Sequence, residues 1–548
     1  MKYKFDCGCE FDITSNKLKD NDGLPGIFID FENLPMDCPS TWQLIQSGHT
    51  KGVFQLETNL GRKWGKELSP NNLTEMAALV SLIRPGCLRA IVDGKSMTQH
   101  YCDRKNDGAE VTYFHDALQP ILEETYGVLA YQEQSMRIAT DLAGASLQQA
   151  DILRKAIGKK KADVMTQAKN DFMAGVDEAE IINKEEAEEI FGWIQESQRY
   201  SFNKSHGVSY GLMGYWSAYV KAHFPFHFYT SWLYYSHEKM DPQEEMQLLI
   251  SDARYFDIEV KPPSLNHVFQ GDIGHFALYD DCVYFGIGDI KRIGEALVTK
   301  VTTNVKLIED KIGRTINKWS WNDFLIYLSD KITTTTVNGM VSSGATDYMG
   351  GSRVQKIHEY ETWKKLTQKE RDWIKDNYDG TDLIEGIQLM LHNKPRTTKP
   401  RMAKIVDVLY HAEHAPFSLE DTPYYIAQKE TELLGVPITC TKLDTCDHNL
   451  EPDTTCKEFL QGKSGKMTIA VEIMDAKEYI ISKGKMKGQK MMFISAEDAT
   501  ASLDSITVFP RILEGNEPLL IKGSTVSLSG QRDRQRSDSF IVDGIVQI

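Results

Sequence analysis

The sequence is short of several features, and each absence removes a class of protein. No window reaches the ~18 uninterrupted apolar residues of a membrane helix. The opening residues, MKYKFDCGCEF, lack the apolar run of a secretory signal. Nine cysteines in 548 residues form no regular framework, so a reducing, cytoplasmic setting is expected. There is no hydrolase triad, no Walker loop and no closely spaced His-rich cluster. Excess positive charge is missing too: 62 Lys and Arg stand against 78 Asp and Glu, a formal net charge of −16. That argues against a purely electrostatic nucleic-acid binder, because a phosphate backbone rewards clustered cations.

What is present fits a globular protein of several domains. Hydrophobic residues make up 41% and charged residues 26% of the chain. At roughly 100–200 residues per domain, three to five domains are expected. Charge is also unevenly placed: residues 151–170, DILRKAIGKKKADVMTQAKN, hold six cations against two acids. The local field, not the bulk charge, decides binding.

The first forty residues read as irregular, rich in Asp, Gly and Pro. Cys7 and Cys9 are spaced as half of a metal site, with Cys38 the nearest later ligand. A closed zinc centre needs a further ligand pair, so no metal ligand is assigned and the three read as unrelated thiols. From 40 to 235 the apolar spacing is mainly helical, over 40–60, 70–84, 128–143 and 146–157. A long helix is predicted from near Phe202 to about Lys221, limited by Pro225. After Met240 come a helix, a loop at the paired prolines of DIEVKPPSLN, and short alternating segments around 274–285. Residues 350–430 are charged and helical in pattern. From Met467 the runs MTIAVEIMDA, KMMFISAED, SLDSITVFP, STVSLSG and SFIVDGIVQI predict five strands. Five strands in about 80 residues fit a small barrel of the OB type, with a small sandwich an equal alternative on composition.

Four segments carry candidate chemistry. In Tyr200–Tyr210, YSFNKSHGVSY, a helix would place Asn203, His206 and Tyr210 near one face, offering an amide, an imidazole and a phenol to a nucleotide. A surface helix with a polar cap and an aromatic core face would look the same. Arg154, Lys155 and Lys159 suit a polyphosphate, or form a merely solvated run. Arg84 follows AALVSLI and precedes Pro85, facing phosphate or capping the helix before it. Gly286, Gly288 and Gly294 in GIGDIKRIG suit a helix-hairpin-helix whose turns expose N–H groups to phosphate, with Ile287, Ile290 and Ile293 packing the unit. Ordinary turns would also explain that spacing. Cys440, Cys446, His448 and Cys456 are too loosely spaced to read as a zinc site.

Taken together, the segments resemble the alpha subunit of bacterial DNA polymerase III, a C-family replicative polymerase. GVFQLE at 52–57, LIRPGCL at 82–88, TYGVLAYQEQSMRIATDLAGASLQQADILRKAIGKKK at 125–161 and YSFNKSHGVSYG at 200–211 occur in the family's order. Cys87 stands where the family has a second Pro, and Lys155 where it usually has Arg. VYFGIGDIKRIGEA at 283–296, VNGMVSSGATD at 337–347 and QKETELLGV at 428–436 continue the resemblance.

The resemblance implies a multidomain, mainly α fold, with helical polymerase fingers, a helix-hairpin-helix duplex-binding region and a C-terminal all-β OB-fold. The implied boundaries are an N-terminal partner-docking segment at 1–40, fingers at 41–240, the duplex-binding region at 241–350, a helical accessory region at 351–460 and the OB-fold at 461–548. It assigns Arg84, Arg154, Lys155, Lys159, Tyr200, Asn203 and His206 to the incoming dNTP. Gly286, Gly288, Lys291, Arg292 and Gly294 go to duplex phosphate. Lys483, Lys485 and Lys487, between the first two barrel strands, go to single-stranded template. The family's palm, with the carboxylates that hold two Mg2+ ions, should precede GVFQLE by well over a hundred residues, whereas 51 residues precede Gly52. Asp30 aligns beyond the third metal ligand and is not read as catalytic. The expectation is therefore a split polymerase, of a kind that would suit a bacteriophage, with a separate palm- and PHP-bearing chain. Primer-template DNA and dNTP are its other partners, a sliding clamp is a further candidate, and no membrane is involved. The competing readings are a noncatalytic DNA-binding or replication-regulating protein that reuses polymerase domains, and a replication-complex scaffold.

Overall fold

A computed structural model describes the chain except residues 1, 6, 9, 13–16, 20–24, 28, 29, 160, 161, 198–200, 269–272, 381, 395, 396, 447–451, 535 and 537. It divides into two compact units, Met1–Pro225 and Phe226–Ile548. Among the described residues no helix is long and apolar enough to cross a membrane.

The first unit is helical apart from short hairpins. Its first forty residues are less irregular than their composition suggests: Lys2–Lys4 pairs antiparallel with Glu10–Asp12, and Lys17–Lys19 with Pro25–Ile27. Such three-residue strands are too short to leave an alternating signature. The helical spacing of 40–60 is also broken. The helix Pro39–Ser47 ends where Gly48 turns left-handed at φ +74°, and the chain turns again at Gly52 and Gln55. A new helix, Asn59–Leu68, starts from Thr58, whose hydroxyl accepts the Gly61 N–H.

The helix Lys204–His223 packs along Leu73–Leu82, a helix with eight of its ten residues buried. Small residues permit that approach. Gly207 faces Ser81 and Ala77, Gly211 faces Met76 and Ala77, and Gly214 faces Met76 and the Phe54 carbonyl. A second core gathers Ile138, Leu142, Leu153, Phe172, Val176, Ile190 and Ile194 from the helices Gln132–Ala143, Leu147–Lys159, Ala162–Ala179 and Lys184–Ser197.

The second unit begins helical, passes through a three-stranded sheet and a helical region, and ends in the barrel. A buried ion pair ties its middle together. Arg353, 1% exposed, meets Glu430, fully buried, at 2.9 Å and Asp347 at 2.8 Å. Glu430 also accepts the N–H groups of Ile438 and Thr439 at 2.6 and 2.8 Å. Its lone pairs are thus filled, which a buried carboxylate requires.

Strands Lys466–Ile480, Lys490–Glu497, Ser502–Val508, Thr525–Arg532 and Phe540–Gln547 close into a barrel. In the ring, the third strand pairs parallel with the fifth, and the fourth closes antiparallel onto the first. This is OB topology, and the closure removes the sandwich alternative. Ile469, Val471, Ile494, Ile506, Val526, Leu528 and Phe540 fill its core.

One pair with a buried carboxylate gives a pH test. Arg401 grips Glu370 through two nitrogens, at 2.8 and 2.5 Å. Burial alone would raise the Glu370 carboxyl, but Arg401 and the Thr367 N–H and hydroxyl outweigh it and hold it at about 2, against an ordinary 4.5. A depressed carboxylate contributes stability above its unfolded pKa and loses it as the pH falls through the folded one. Urea unfolding should therefore show wild type losing more stability than Glu370→Gln between pH 4.5 and about 2. Parallel curves would contradict the pairing.

Candidate nucleotide and nucleic-acid sites

Two helix N-termini are held side by side in the first unit. Phe202 donates its N–H to the Ala130 carbonyl at 3.0 Å, and Gln132 donates to the Phe202 carbonyl at 3.0 Å. This short parallel pairing places the start of Gln132–Ala143 beside the start of Lys204–His223. Asn203 caps the second helix, accepting the His206 N–H at 2.9 Å. Its amide donates to Glu133 at 2.7 Å, and the other Glu133 oxygen takes the Lys204 N–H at 2.9 Å. Asn203 is therefore not on the helical face with His206 and Tyr210, because the helix begins one residue later. Each N-terminus carries a partial positive charge suited to anions, while the Gln132, Lys204 and His206 N–H groups are already taken by Phe202, Glu133 and Asn203.

Cations reach this edge from two directions. Arg154, on Leu147–Lys159, donates to the Gln132 side chain at 3.2 Å, while Gln132 donates to the Ser201 carbonyl at 3.3 Å. Asp151 takes Arg154 at 2.9 Å and Lys155 at 2.6 Å. Lys155 and Arg154 hold the Asp151 carboxyl below its usual range. The local positive excess is thus partly neutralised within one helix. Arg84 lies over the Phe202 ring at 4.9 Å, and its buried Nε has no hydrogen-bond partner among the described residues. Phe202 continues to His206 at 5.2 Å, and His206 to Tyr210 at 3.8 Å. The outcome is an aromatic row running from a guanidinium along one helix face.

The structure therefore brings Arg84, Arg154, Asn203 and His206 to one edge, and turns Lys155 onto Asp151. Lys159 ends its helix, with its side chain outside the described set, and Tyr200 lies outside the described residues altogether. Gln55, Gln132 and Glu133 join the site without having been singled out. Gln55 lay inside the GVFQLE motif, but its left-handed backbone, at φ +66°, has no sequence signal. Gln132 and Glu133 matter through a contact some 70 residues away in the chain.

In the second unit, Gly286–Gly294 does not form two α-helices about a hairpin. Ile287–Asp289 is a single 3-10 turn, closed when Asp289 takes the Gly286 N–H at 2.9 Å. Arg292 then turns left-handed at φ +73°, and Gly294 caps Glu295–Ile312. Ile287, Ile290 and Ile293 are buried, as their spacing predicts. Gly286 and Gly288 serve close packing, since a Cβ on either would collide with the backbone of Gly274 and His275. Lys291 and Arg292 stay exposed just before the helix start.

Lys483, Lys485 and Lys487 sit exposed at the tip joining the first two barrel strands. Beside them Tyr479 and Phe493, 46% and 39% exposed, face each other at 6.0 Å. Sequence reasoning passed over this aromatic pair because alternation alone does not say which face of a strand is wet.

Asp30 is occupied as a cap, accepting from the Glu32 N–H at 3.2 Å and the Asn33 side chain at 2.8 Å. Among the described residues the one close group of three potential metal ligands is Cys7, Cys38 and His223, and no carboxylate belongs to it. A hard Mg2+ ion needs oxygen donors. The described residues do not fit the polymerase metal pair.

The first unit is a helical body with an anion-suited edge, and the second ends in an OB-type barrel. In comparison with known proteins, residues 13–180 match the bacterial DNA polymerase III alpha subunit finger domain. The chain is 33% identical to DNA polymerase III subunit alpha of Escherichia coli K12 over 531 residues, 94% of this chain and 42% of that one. It is 30% identical to the Thermus aquaticus subunit over 504 residues, 90% and 37% of the two chains. The Aquifex aeolicus subunit is 37% identical over 338 residues, 61% and 27%. The chain belongs to the bacterial DNA polymerase III alpha family as a region of it that includes the fingers. It spans about two-fifths or less of the length of these relatives.

Two pairs of substitutions test the geometry. Asn203→Ala removes a helix cap and should lower stability by about 1 kcal/mol, with Asn203→Ser recovering most of it. Gly288→Ala should cost about 1–3 kcal/mol by overpacking, whereas Gly294→Ala, with open space around it, should cost far less. Urea midpoints measure both, and equal effects at 288 and 294 would contradict the close approach.

Proposed function

We propose that this chain supplies the fingers and DNA-holding modules of a DNA-directed DNA polymerase. The edge formed by Arg84, Arg154, Asn203 and His206 takes the incoming dNTP. The observation that carries this reading is the stapling of two helix N-termini beneath Arg154, with Arg84 and the Phe202–His206–Tyr210 row alongside. Triphosphate oxygens suit the positive helix ends and guanidinium forks, and a base suits the aromatic row. The family resemblance adds Lys155, Lys159 and Tyr200 to the residues assigned to the nucleotide.

In this reading the Gly286–Gly294 turn acts in the manner of a helix-hairpin-helix. Lys291, Arg292 and the start of Glu295–Ile312 meet duplex phosphate. The barrel guides single-stranded template, with Tyr479 and Phe493 as stacking faces and Lys483, Lys485 and Lys487 tracking the backbone. The two-Mg2+ chemistry expected of the family needs palm carboxylates, and the one close ligand group among the described residues contains none. We assign those carboxylates to a separate PHP- and palm-bearing chain in a bacterial cytoplasm, that of a host if the protein is phage-encoded. A sliding clamp fits the same assembly.

The test is templated incorporation. The purified chain with Mg2+ should add no nucleotide, and a palm-bearing chain should restore synthesis. In the assembled enzyme Arg154→Ala should raise KM for dNTP about 10- to 100-fold, the worth of one or two charge-assisted hydrogen bonds. Duplex affinity should barely change. Synthesis by the single chain, or an unchanged KM, would overturn the respective part.

A further inference from the structure

The Cys7, Cys38 and His223 side chains converge at the opposite end of the helix whose start forms the proposed nucleotide edge. Cys38 Sγ lies 3.0 Å from His223 Nε2 and 3.9 Å from Cys7 Sγ. All three ligand atoms lie within 4.8 Å of one another. Cys38 is fully buried and precedes the first residue of Pro39–Ser47, yet its side chain makes no cap hydrogen bond there. Its backbone N–H donates instead to the Tyr215 hydroxyl at 3.3 Å, and that hydroxyl donates to the Pro35 carbonyl at 2.5 Å. Around the ring of His223 stand Phe5 at 4.2 Å and Tyr219 at 4.5 Å. The pocket is thus walled by aromatic rings and floored by soft donors.

Three chemistries could use such a group. A disulfide needs sulfurs about 2.05 Å apart, whereas Cys7 and Cys38 are 3.9 Å apart. A thiolate–imidazole nucleophile needs an accessible sulfur, and Cys38 is fully buried. A tetrahedral zinc ion at about 2.3 Å from each thiolate sets the two sulfurs about 3.8 Å apart, close to the distance found here. The imidazole need retreat only by about half an ångström to complete the geometry.

We propose that Cys7, Cys38 and His223 bind a structural zinc ion. Two thiolates and an imidazole select a soft or borderline metal over Mg2+, and a fourth donor completes the tetrahedron. The ligands come from the first ten residues, from the start of a helix at position 39 and from the last turn of Lys204–His223. The metal therefore ties the N-terminal segment to the far end of the helix that Asn203 caps. At 1.5 Å per residue, the 20 residues of that helix set the metal about 30 Å from the nucleotide edge, so its role is to hold, not to react. None of this depends on the proposed nucleotide site.

The experiment uses the full chain, free of any affinity tag and purified under reducing conditions without chelator. Elemental analysis should give one zinc per chain. Cobalt substituted for it should show thiolate charge-transfer absorption and the visible bands of a tetrahedral ion. Cys7→Ser, Cys38→Ser and His223→Ala should lose the metal, and Cys440→Ser should keep it. If those variants fail to fold, the cobalt spectrum of wild type decides alone. Cobalt without thiolate absorption, no zinc after reconstitution, zinc retained in all three ligand variants, or alkylation mass spectra showing a Cys7–Cys38 disulfide would each overturn the proposal.

Discussion

The Glu133 carboxylate accepts the Asn203 amide at 2.7 Å and the Lys204 N–H at 2.9 Å, joining two stretches 70 residues apart in the chain. Beneath it, the backbone pairing of 130–132 with 202 fixes the depth and register of the contact. Without this staple the two helix starts would not share an edge, and Phe202 would not stand under Arg84 beside the Arg154–Gln132 contact. The anion-suited character of the edge follows from this one arrangement. Its cost is that a carboxylate already occupies part of the positive field of the second helix.

The glycine face of Lys204–His223 makes the arrangement stable at a distance. Gly207, Gly211 and Gly214 bring this helix onto Leu73–Leu82 closely enough that the helix ends are set by backbone contact. Close contact leaves little freedom to tilt, so the position of Asn203 at one end is coupled to that of His223 at the other. A metal at the His223 end would reinforce the same rigid element.

The strands of the barrel and the long helix were legible because period-2 and period-3.6 apolar patterns survive in the sequence without any partner. Arg84, Arg154, Asn203 and His206 were legible as residue types, but their meeting was not. It depends on a pairing between Tyr131 and Phe202 that no local pattern announces. The 40–60 segment misled because its apolar spacing continues through Gly48, where the backbone turns left-handed. In the Gly286–Gly294 turn, Gly286 and Gly288 are needed for packing against residues 274 and 275, a role that spacing does not distinguish from phosphate binding. His223 was invisible as a ligand because nothing in sequence links it to Cys7 or Cys38.

In the proposed function, nucleotide binds at the edge made by residues 130–133 and 201–206, with Arg154. Amide hydrogen exchange of the palm-complemented enzyme, with and without a correctly templated dNTP, tests this most directly. Nucleotide-dependent protection is expected at 130–134, 201–207 and the Arg154 turn, with little change in the barrel. Protection confined to other segments, with these amides unaffected by nucleotide, would contradict it.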